Sequence, residues 1–436
     1  MQNISISRRL IARARLVAAV ACTATLLSVS LAAAAAPLAP PPPAPPAPPA
    51  PTRLQIIGEQ LFNDANLSEP RGTACIHCHR AATGFADNHG SRLGVPIGSQ
   101  PTALGLRNAM SNAYGAFVPT FQFRVVGGDT DAIGGHFWDG RADTAALQAL
   151  GPFLSAREMN NPNAAAVVRK VAASPYAPLL KAEFGARIFD TPDLAFQKLG
   201  VAIAAFEATP ALQSFSSKYD RFVAGDVAFD GNERRGMALF MDTQRANCIA
   251  CHVMNPASRR PADNLFTDFA YYAEGIPRNK VIPDNANPGF FDLGLCGPNR
   301  QRPALTPVVP VTVTIEQFCG AFRMVSLRNV ALRQAFMHNG FFKNLREVID
   351  FYSTRNSDPK RWYGPAGVPN DLPAAYVANI IRDKAPFNRP AAAGPLFSPA
   401  ETDDMLAFLR TLNDGFVIPA PGVPPVPVAP IVQGRK

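Results

Sequence analysis

Apolar residues recur at helical spacing over Ala164–Ala172, Asp193–Thr209 and Ala400–Leu412. The last run opens on Ser398, Pro399, Ala400 and Glu401, which supply an N-cap, a first-turn proline and an acid at the positive end of the helix dipole. Helix-like stretches also cover 143–150 and 343–352, and short apolar turns occupy Gly58–Phe62 and Gly236–Phe240. No long alternating strand pattern appears. Segments 121–136 and 253–320 are rich in Gly, Pro and Asn and read as long ordered loops, which inside a compact domain often carry function. The pattern predicts a mainly α fold.

The two ends follow other rules. Arg8, Arg9, Arg13 and Arg15 precede the apolar stretch Leu16–Leu31, and the alanines 32–36 offer small-residue cleavage sites. Residues 1–36 therefore read as a secretory signal, with an uncleaved anchor as the alternative, since roughly 20 apolar residues suffice to span a bilayer. No second apolar stretch of spanning length follows, so no stable membrane span is expected after cleavage and the rest of the chain is expected outside the cytoplasm. Residues 37–51 hold ten prolines in fifteen positions and predict a stiff polyproline spacer. The tail 416–436 is again proline-rich.

Composition narrows the class. Of 436 residues, 47% are hydrophobic and 17% charged, which excludes a wholly disordered chain. The net charge is +9, but the four arginines of the signal account for much of it and leave about +5. With no Lys/Arg run, that balance gives no reason to expect a nucleic-acid partner.

The chemistry lies in the cysteines. Four of the seven stand in two copies of one pattern, Cys75-Ile76-His77-Cys78-His79 and Cys248-Ile249-Ala250-Cys251-His252. C-x-x-C-H is the attachment signature of c-type haem. Two thiols one helical turn apart reach the two vinyl groups of a porphyrin, and the adjacent histidine can bind the iron. A zinc site or a redox dithiol is the competing reading, yet a dithiol has no need of a histidine after both pairs. Cys296 and Cys319 remain, either as a disulfide closing a loop of about 24 residues in an oxidising compartment or as two buried thiols.

Other motifs repeat with the haem signatures. Leu106-Arg107-Asn108 recurs as Leu327-Arg328-Asn329, and Phe137-Trp138-Asp139-Gly140 as Met337-His338-Asn339-Gly340. Twelve residues beyond Gly140 is Pro152, and twelve beyond Gly340 is Tyr352. If the units superpose, these side chains occupy matching places over their haems. Proline cannot ligate iron, whereas tyrosine can as a phenolate. One iron would then be open to peroxide and the other saturated. Tyr352 could equally be an ordinary core tyrosine, and Met337 and His338 compete with it as ligands.

Residues 54–415 resemble the bacterial di-haem cytochrome c peroxidase superfamily. The likeness is carried by the two C-x-x-C-H sites, Phe137–Ala142, Gln148–Pro152, Glu158-Met159, Leu327–Val330 and His338-Asn339-Gly340. It is nearer the MauG-like branch, in which a tyrosine ligates the C-terminal haem and whose members oxidatively mature a tryptophan in a partner protein. This implies two tandem cytochrome c-like domains, an N-terminal peroxidatic one over 52–225 and a C-terminal electron-transfer one over 226–415. It also implies two covalent haems, on Cys75, Cys78 and His79 and on Cys248, Cys251, His252 and Tyr352. Trp138 would lie between the haems, Gln148 would hydrogen-bond distal water or peroxide, and Glu158 would be the distal carboxylate that moves a proton between the peroxide oxygens. A solvated acid at a helix start is the ordinary alternative for Glu158. The family's calcium ion between the domains would take Asn108 as side-chain ligand, with backbone carbonyls near Arg323 and Val325.

One departure stands out. Typical peroxidases carry a distal histidine after the first haem motif, where this chain has Leu93–Gly98; His89 is nearby but out of register. The expected function is a periplasmic di-haem oxidoreductase acting on hydrogen peroxide, partnered by a small c-type cytochrome, another periplasmic electron donor or a protein substrate. A detoxifying cytochrome c peroxidase and a non-catalytic electron carrier are the alternatives.

Overall fold

Two crossed helix pairs, one in each half of the chain, set the architecture. The computed structural model describes residues 49–126, 128–298 and 313–418, so the signal, most of the polyproline segment and nearly all of the C-terminal tail lie outside the described residues. From Pro51 onward the chain forms one compact unit. Its helices are α1 (Arg53–Asn63), α2 (Cys75–Cys78), α3 (Ala145–Leu154), α4 (Ala164–Ala172), α5 (Ala177–Phe184), α6 (Pro192–Glu207), α7 (Lys218–Ala224), α8 (Gly231–Met241), α9 (Leu345–Thr354), α10 (Pro359–Tyr363) and α11 (Pro399–Arg410). No described helix is long and apolar enough to cross a membrane.

Local chemistry starts these helices where the sequence places them. Thr52 with Gln55, Asp230 with Glu233 and Ser398 with Glu401 form capping boxes on α1, α8 and α11. Thr144 and Asn344 cap α3 and α9. In the first half, Ile57, Leu61 and Phe62 of α1 bury against Leu199, Ala202 and Ile203 of α6, with Phe153 and Val167 closing the core. In the second, Phe240 of α8 meets Met405, Phe408 and Leu409 of α11, over Phe351 of α9 and Tyr219 of α7. Both pairs cross at a glycine. A Cβ on Gly58 would stand 2.0 Å from the Ala202 carbonyl oxygen, and one on Gly236 would stand 2.0 Å from that of Asp404. Gly58 and Gly236, the lead glycines of the matching turns that precede the two haem motifs in the sequence, are thus crossing points where no side chain fits.

The motif repeat is also a structural repeat. His136 N donates to Ala142 O at 2.7 Å, and Phe336 N to Phe342 O at 3.0 Å. Phe137 and Met337 both take positive φ, 64° and 67°. Two reciprocal backbone bonds tie the halves, Asn108 N to His338 O at 2.7 Å and Arg323 N to Trp138 O at 2.9 Å.

Strand content is small but not nil. Segment 121–136, read from sequence as loop, contains the antiparallel hairpin β1 (Gln122–Val126) and β2 (Asp129–Ile133), with Phe123 opposite Ala132. Its alternation is faint because Phe123, Ala132 and Ile133 alone are buried among its described side chains, Phe123 and Ala132 on a small third core with Tyr271 and Leu295. β3 (Tyr271–Tyr272) pairs with β4 (Phe322–Arg323). The Cys296–Cys319 disulfide lies in the same core, with a Cα–Cα distance of 4.9 Å.

Candidate haem sites

Each C-x-x-C-H motif opens onto its own cavity. The first is lined by Cys75, Cys78 and His79 together with Gln148, Pro152 and Glu158, and by Asn108 and Trp138. The second is lined by Cys248, Cys251, His252, Met337, His338 and Tyr352. Trp138, Arg323, Val325 and Ser326 line both, so they form the partition. Every site residue expected from sequence therefore lies on one of two cavities, and Trp138 lies on both.

The histidines are set up as metal ligands. His79 Nδ1 is 2.9 Å from the Phe85 carbonyl, and His252 Nδ1 is 3.1 Å from that of Phe266. A carbonyl only accepts, so Nδ1 carries the proton and Nε2 keeps a lone pair. Burial lowers both pKa values, that of His252 to about 4, which keeps the rings neutral. Burial also pushes the cysteine thiols up, those of Cys78, Cys248 and Cys251 to about 12, aided at Cys78 by Glu158. Neutral, buried sulfurs suit thioether linkages and not a reactive dithiol. No group of three or more His, Cys, Asp or Glu that could hold a metal ion occurs among the described residues, against the zinc reading. Paired thiols beside a neutral histidine on an enclosed, largely apolar wall fit a covalently held haem in each cavity.

The linings beyond the two histidines differ between the cavities. Pro152 and Tyr352 are each the eighth residue of their helix, α3 and α9. Proline offers no donor in the first cavity. Tyr352 offers a phenol in the second, and its OH donates to Glu274 Oε1 at 2.6 Å. The competing candidates line the same cavity: the His338 ring stacks on Phe322 at 3.5 Å with its Nε2 3.4 Å from Asp371, and Met337 packs against the second core. His89 is absent from the first cavity's lining; its Nδ1 bonds Ile97 O at 2.8 Å and its ring lies 5.2 Å from that of His77.

Glu158 lines the first cavity with its carboxyl pKa raised by burial, an effect that the Arg141 cation opposes. Arg141 is held by Asp139 at 2.9 and 3.1 Å and lies over the Phe137 ring. Trp138 Nε1 donates to Asn108 O at 2.8 Å, fixing the indole in the partition. Asn108 Nδ2 donates to Ala335 O and Met337 O, while its buried Oδ1 has no partner. An orphaned amide oxygen fits a hard cation such as calcium.

Sequence reasoning missed several residues. Glu274 reaches Tyr352 from 78 positions away. Glu207, buried in the first cavity, accepts from Asn112 at 2.7 Å, and burial pushes it up to about 8. His136 also lines that cavity, and burial with nearby Arg323 pushes it down to about 4. None belongs to a short motif, so no local signal marks them.

Known proteins with the same layout are readily found. The sequence profile of the family described as di-haem cytochrome c peroxidase matches residues 53–228. The methylamine utilization protein MauG of Paracoccus denitrificans is 34% identical over 369 residues, covering 83% of this chain and 88% of the relative. The cytochrome c551 peroxidase of Pseudomonas aeruginosa is 28% identical over 304 residues, 67% of this chain and 69% of its own. The crystal structure of the diheme peroxidase BthA from Burkholderia thailandensis superposes with a TM-score of 0.77 at 38% identity, over 84% of this chain and 87% of that one. The chain thus belongs to the di-haem cytochrome c peroxidase family, in its MauG-like part, and is an oxidoreductase that carries two c-type haems.

Proposed function

We propose that the protein is exported and activates hydrogen peroxide at the N-terminal haem, held by Cys75, Cys78 and His79, while the C-terminal haem, held by Cys248, Cys251, His252 and Tyr352, stores the second oxidising equivalent. The observation that carries this reading is the pair Pro152 and Tyr352, equivalent in the two helices and opposite in ligating power. When bound, the haems supply iron that cleaves the O–O bond and holds oxidising equivalents. Glu158 accepts the proton of the peroxide oxygen nearest the metal and returns it to the outer oxygen, which leaves as water. Gln148, on the same wall, positions peroxide by hydrogen bonding. Tyr352 would hold the metal as a phenolate, its proton passing to Glu274 Oε1, which lies 2.6 Å from the phenol oxygen and whose own pKa burial raises. Trp138, shared by both cavities, couples them. Asn108 Oδ1, with carbonyls near Arg323 and Val325, would hold calcium at the partition. Export is supported by the c-type motifs and by the Cys296–Cys319 disulfide.

Likeness to the methylamine utilization protein favours a protein as the oxidised partner. Likeness to the cytochrome c551 peroxidase favours a small cytochrome instead. Stopped-flow spectroscopy with hydrogen peroxide, with and without a reduced small cytochrome c, separates them. A long-lived oxidised form that consumes the cytochrome slowly is expected. Rapid cytochrome turnover would establish the detoxifying reading, and two haems unresponsive to peroxide would make the protein a carrier.

A further inference from the structure

A buried guanidinium is costly unless its charge is met. The chain follows this rule at Arg107, which pairs with Asp139 at 2.8 Å and Asp292 at 2.6 Å, and at Arg328, whose two nitrogens meet Asp220 at 2.9 and 3.0 Å. Two arginines on the cavity walls break it. Arg323 is 7% exposed, yet its Nε donates only to Phe137 O at 3.3 Å, and one terminal nitrogen lies 4.0 Å from Met110 Sδ. Arg333 is half-buried and donates to Ala335 O at 3.4 Å and Ala109 O at 3.1 Å. Neither forms an ion pair with a carboxylate among the described residues. Burial accordingly lowers the pKa of both.

Their location supplies the missing charge. Arg323 lines both cavities. Arg333 lines the second and stands close enough to His79 to lower its pKa. These are the cationic side chains of the second cavity's wall, and the first cavity's other arginines, Arg107, Arg141 and Arg157, are already bound to aspartates. Each haem brings two propionate carboxylates, and a buried carboxylate needs a cation as much as a buried guanidinium needs an anion. The acids on the same walls offer the propionates no counter-charge: burial raises the pKa of Glu158, Glu207 and Glu274, and Asp371 pairs with Arg278.

We propose that Arg323 and Arg333 are the counter-ions of the haem propionates at the partition, with Arg323 serving both haems and Arg333 the C-terminal one. Arg323 then acts as a positioning residue that couples the two haems electrostatically. Reduction adds one negative charge to a haem, so a cation beside its propionates favours the ferrous form. Removing Arg323 therefore favours the ferric form of both.

The test uses the full chain matured with both haems, whose attachment is verified by intact mass. In Arg323→Met, spectroelectrochemistry should show the ferrous-to-ferric ratio at fixed applied potential falling about tenfold at both haems, equivalent to about 59 mV for a one-electron couple. Arg333→Met should move the C-terminal haem more than the N-terminal one. Arg323→Lys keeps the charge and loses the planar fork. Its potentials should stay within about threefold of the parent while the propionate bending bands in the resonance Raman spectrum shift. Those bands would not respond to a merely structural arginine. Parental potentials and parental propionate bands in Arg323→Met overturn the proposal, and a shift confined to one haem overturns the shared role. If Arg323→Met fails to mature, unchanged propionate bands in Arg323→Lys overturn it equally.

Discussion

In the role proposed for it, Glu158 would work only in the right protonation state, and its surroundings decide when that is. Burial raises its pKa above the ordinary 4.5 and Arg141 limits the rise. Below the raised pKa the carboxyl is protonated and cannot accept the peroxide proton; above it the carboxylate can. The rate of reaction with peroxide should therefore rise with pH through a value above 4.5 and level off. Glu158→Gln preserves volume and removes the base. Both haems should remain attached, the pH-dependent limb should vanish, and the stopped-flow rate should fall about 10²–10⁴-fold. An unchanged rate would take the proton shuttle away from Glu158. Tyr352 makes a matching prediction for the other cavity. Tyr352→Phe deletes the phenol oxygen and leaves Glu274 without its 2.6 Å donor. The C-terminal haem should turn high-spin in its electron paramagnetic resonance spectrum, with the N-terminal haem nearly unchanged. Two parental spectra would put the ligand elsewhere, with Met337 next. Tyr352 could be found from sequence because it sits at a fixed count from a repeated motif, and Glu158 because its segment resembles that of the family. Glu207, Glu274 and Arg323 could not, since their meaning comes from what distant segments place beside them.

At the scale of elements, the helices were legible and the hairpin was not. The run Ala164–Ala172 coincides with α4, and the last predicted helix begins one residue after the start of α11, because caps and apolar spacing act locally. The β1–β2 hairpin is stabilised by packing on a small core and shows little alternation of its own. The lead glycines were visible as a repeat, but their reason is tertiary: each removes a side chain where two helices cross. Gly236→Ala makes this measurable. Its Cβ meets backbone at Asp404 and the Phe408 Cβ at 2.8 Å, so no flexible side-chain end can yield. The helix propensity gained by alanine is at most about 1 kcal/mol, whereas forcing apart a packed crossing costs about 1–3 kcal/mol or more. Thermal or denaturant unfolding of the haem-loaded protein should show a net loss, and Gly58→Ala should lose a comparable amount through α1 and α6. A stabilised Gly236→Ala would mean that the helices separate freely there.

For the whole molecule, the decisive feature is that two cores share one thin partition. Arg107 ties the two halves beside it, pairing with Asp139 of the first repeat and with Asp292 on the long segment that follows the second haem motif. Trp138 stands in the same wall, 7% exposed, with its indole N–H held by the Asn108 carbonyl and its own carbonyl accepting from Arg323. This arrangement fixes a large aromatic side chain between the cavities, outside the hydrophobic clusters of the described residues. Trp138→Phe should therefore separate coupling from structure. Phenylalanine keeps an aromatic ring but has no N–H donor, so the Asn108 carbonyl loses a partner at a cost of about 1–3 kcal/mol. Both haems should still attach and each should keep its resting spectrum. After mixing with peroxide, the N-terminal haem should react at close to the parental rate, while the spectral change of the C-terminal haem lags behind it. In the parent the two changes should coincide. If they still coincide in Trp138→Phe, the oxidising equivalent crosses the partition without the indole, and the reciprocal backbone bonds at Asn108 and Arg323 become the next path to interrupt.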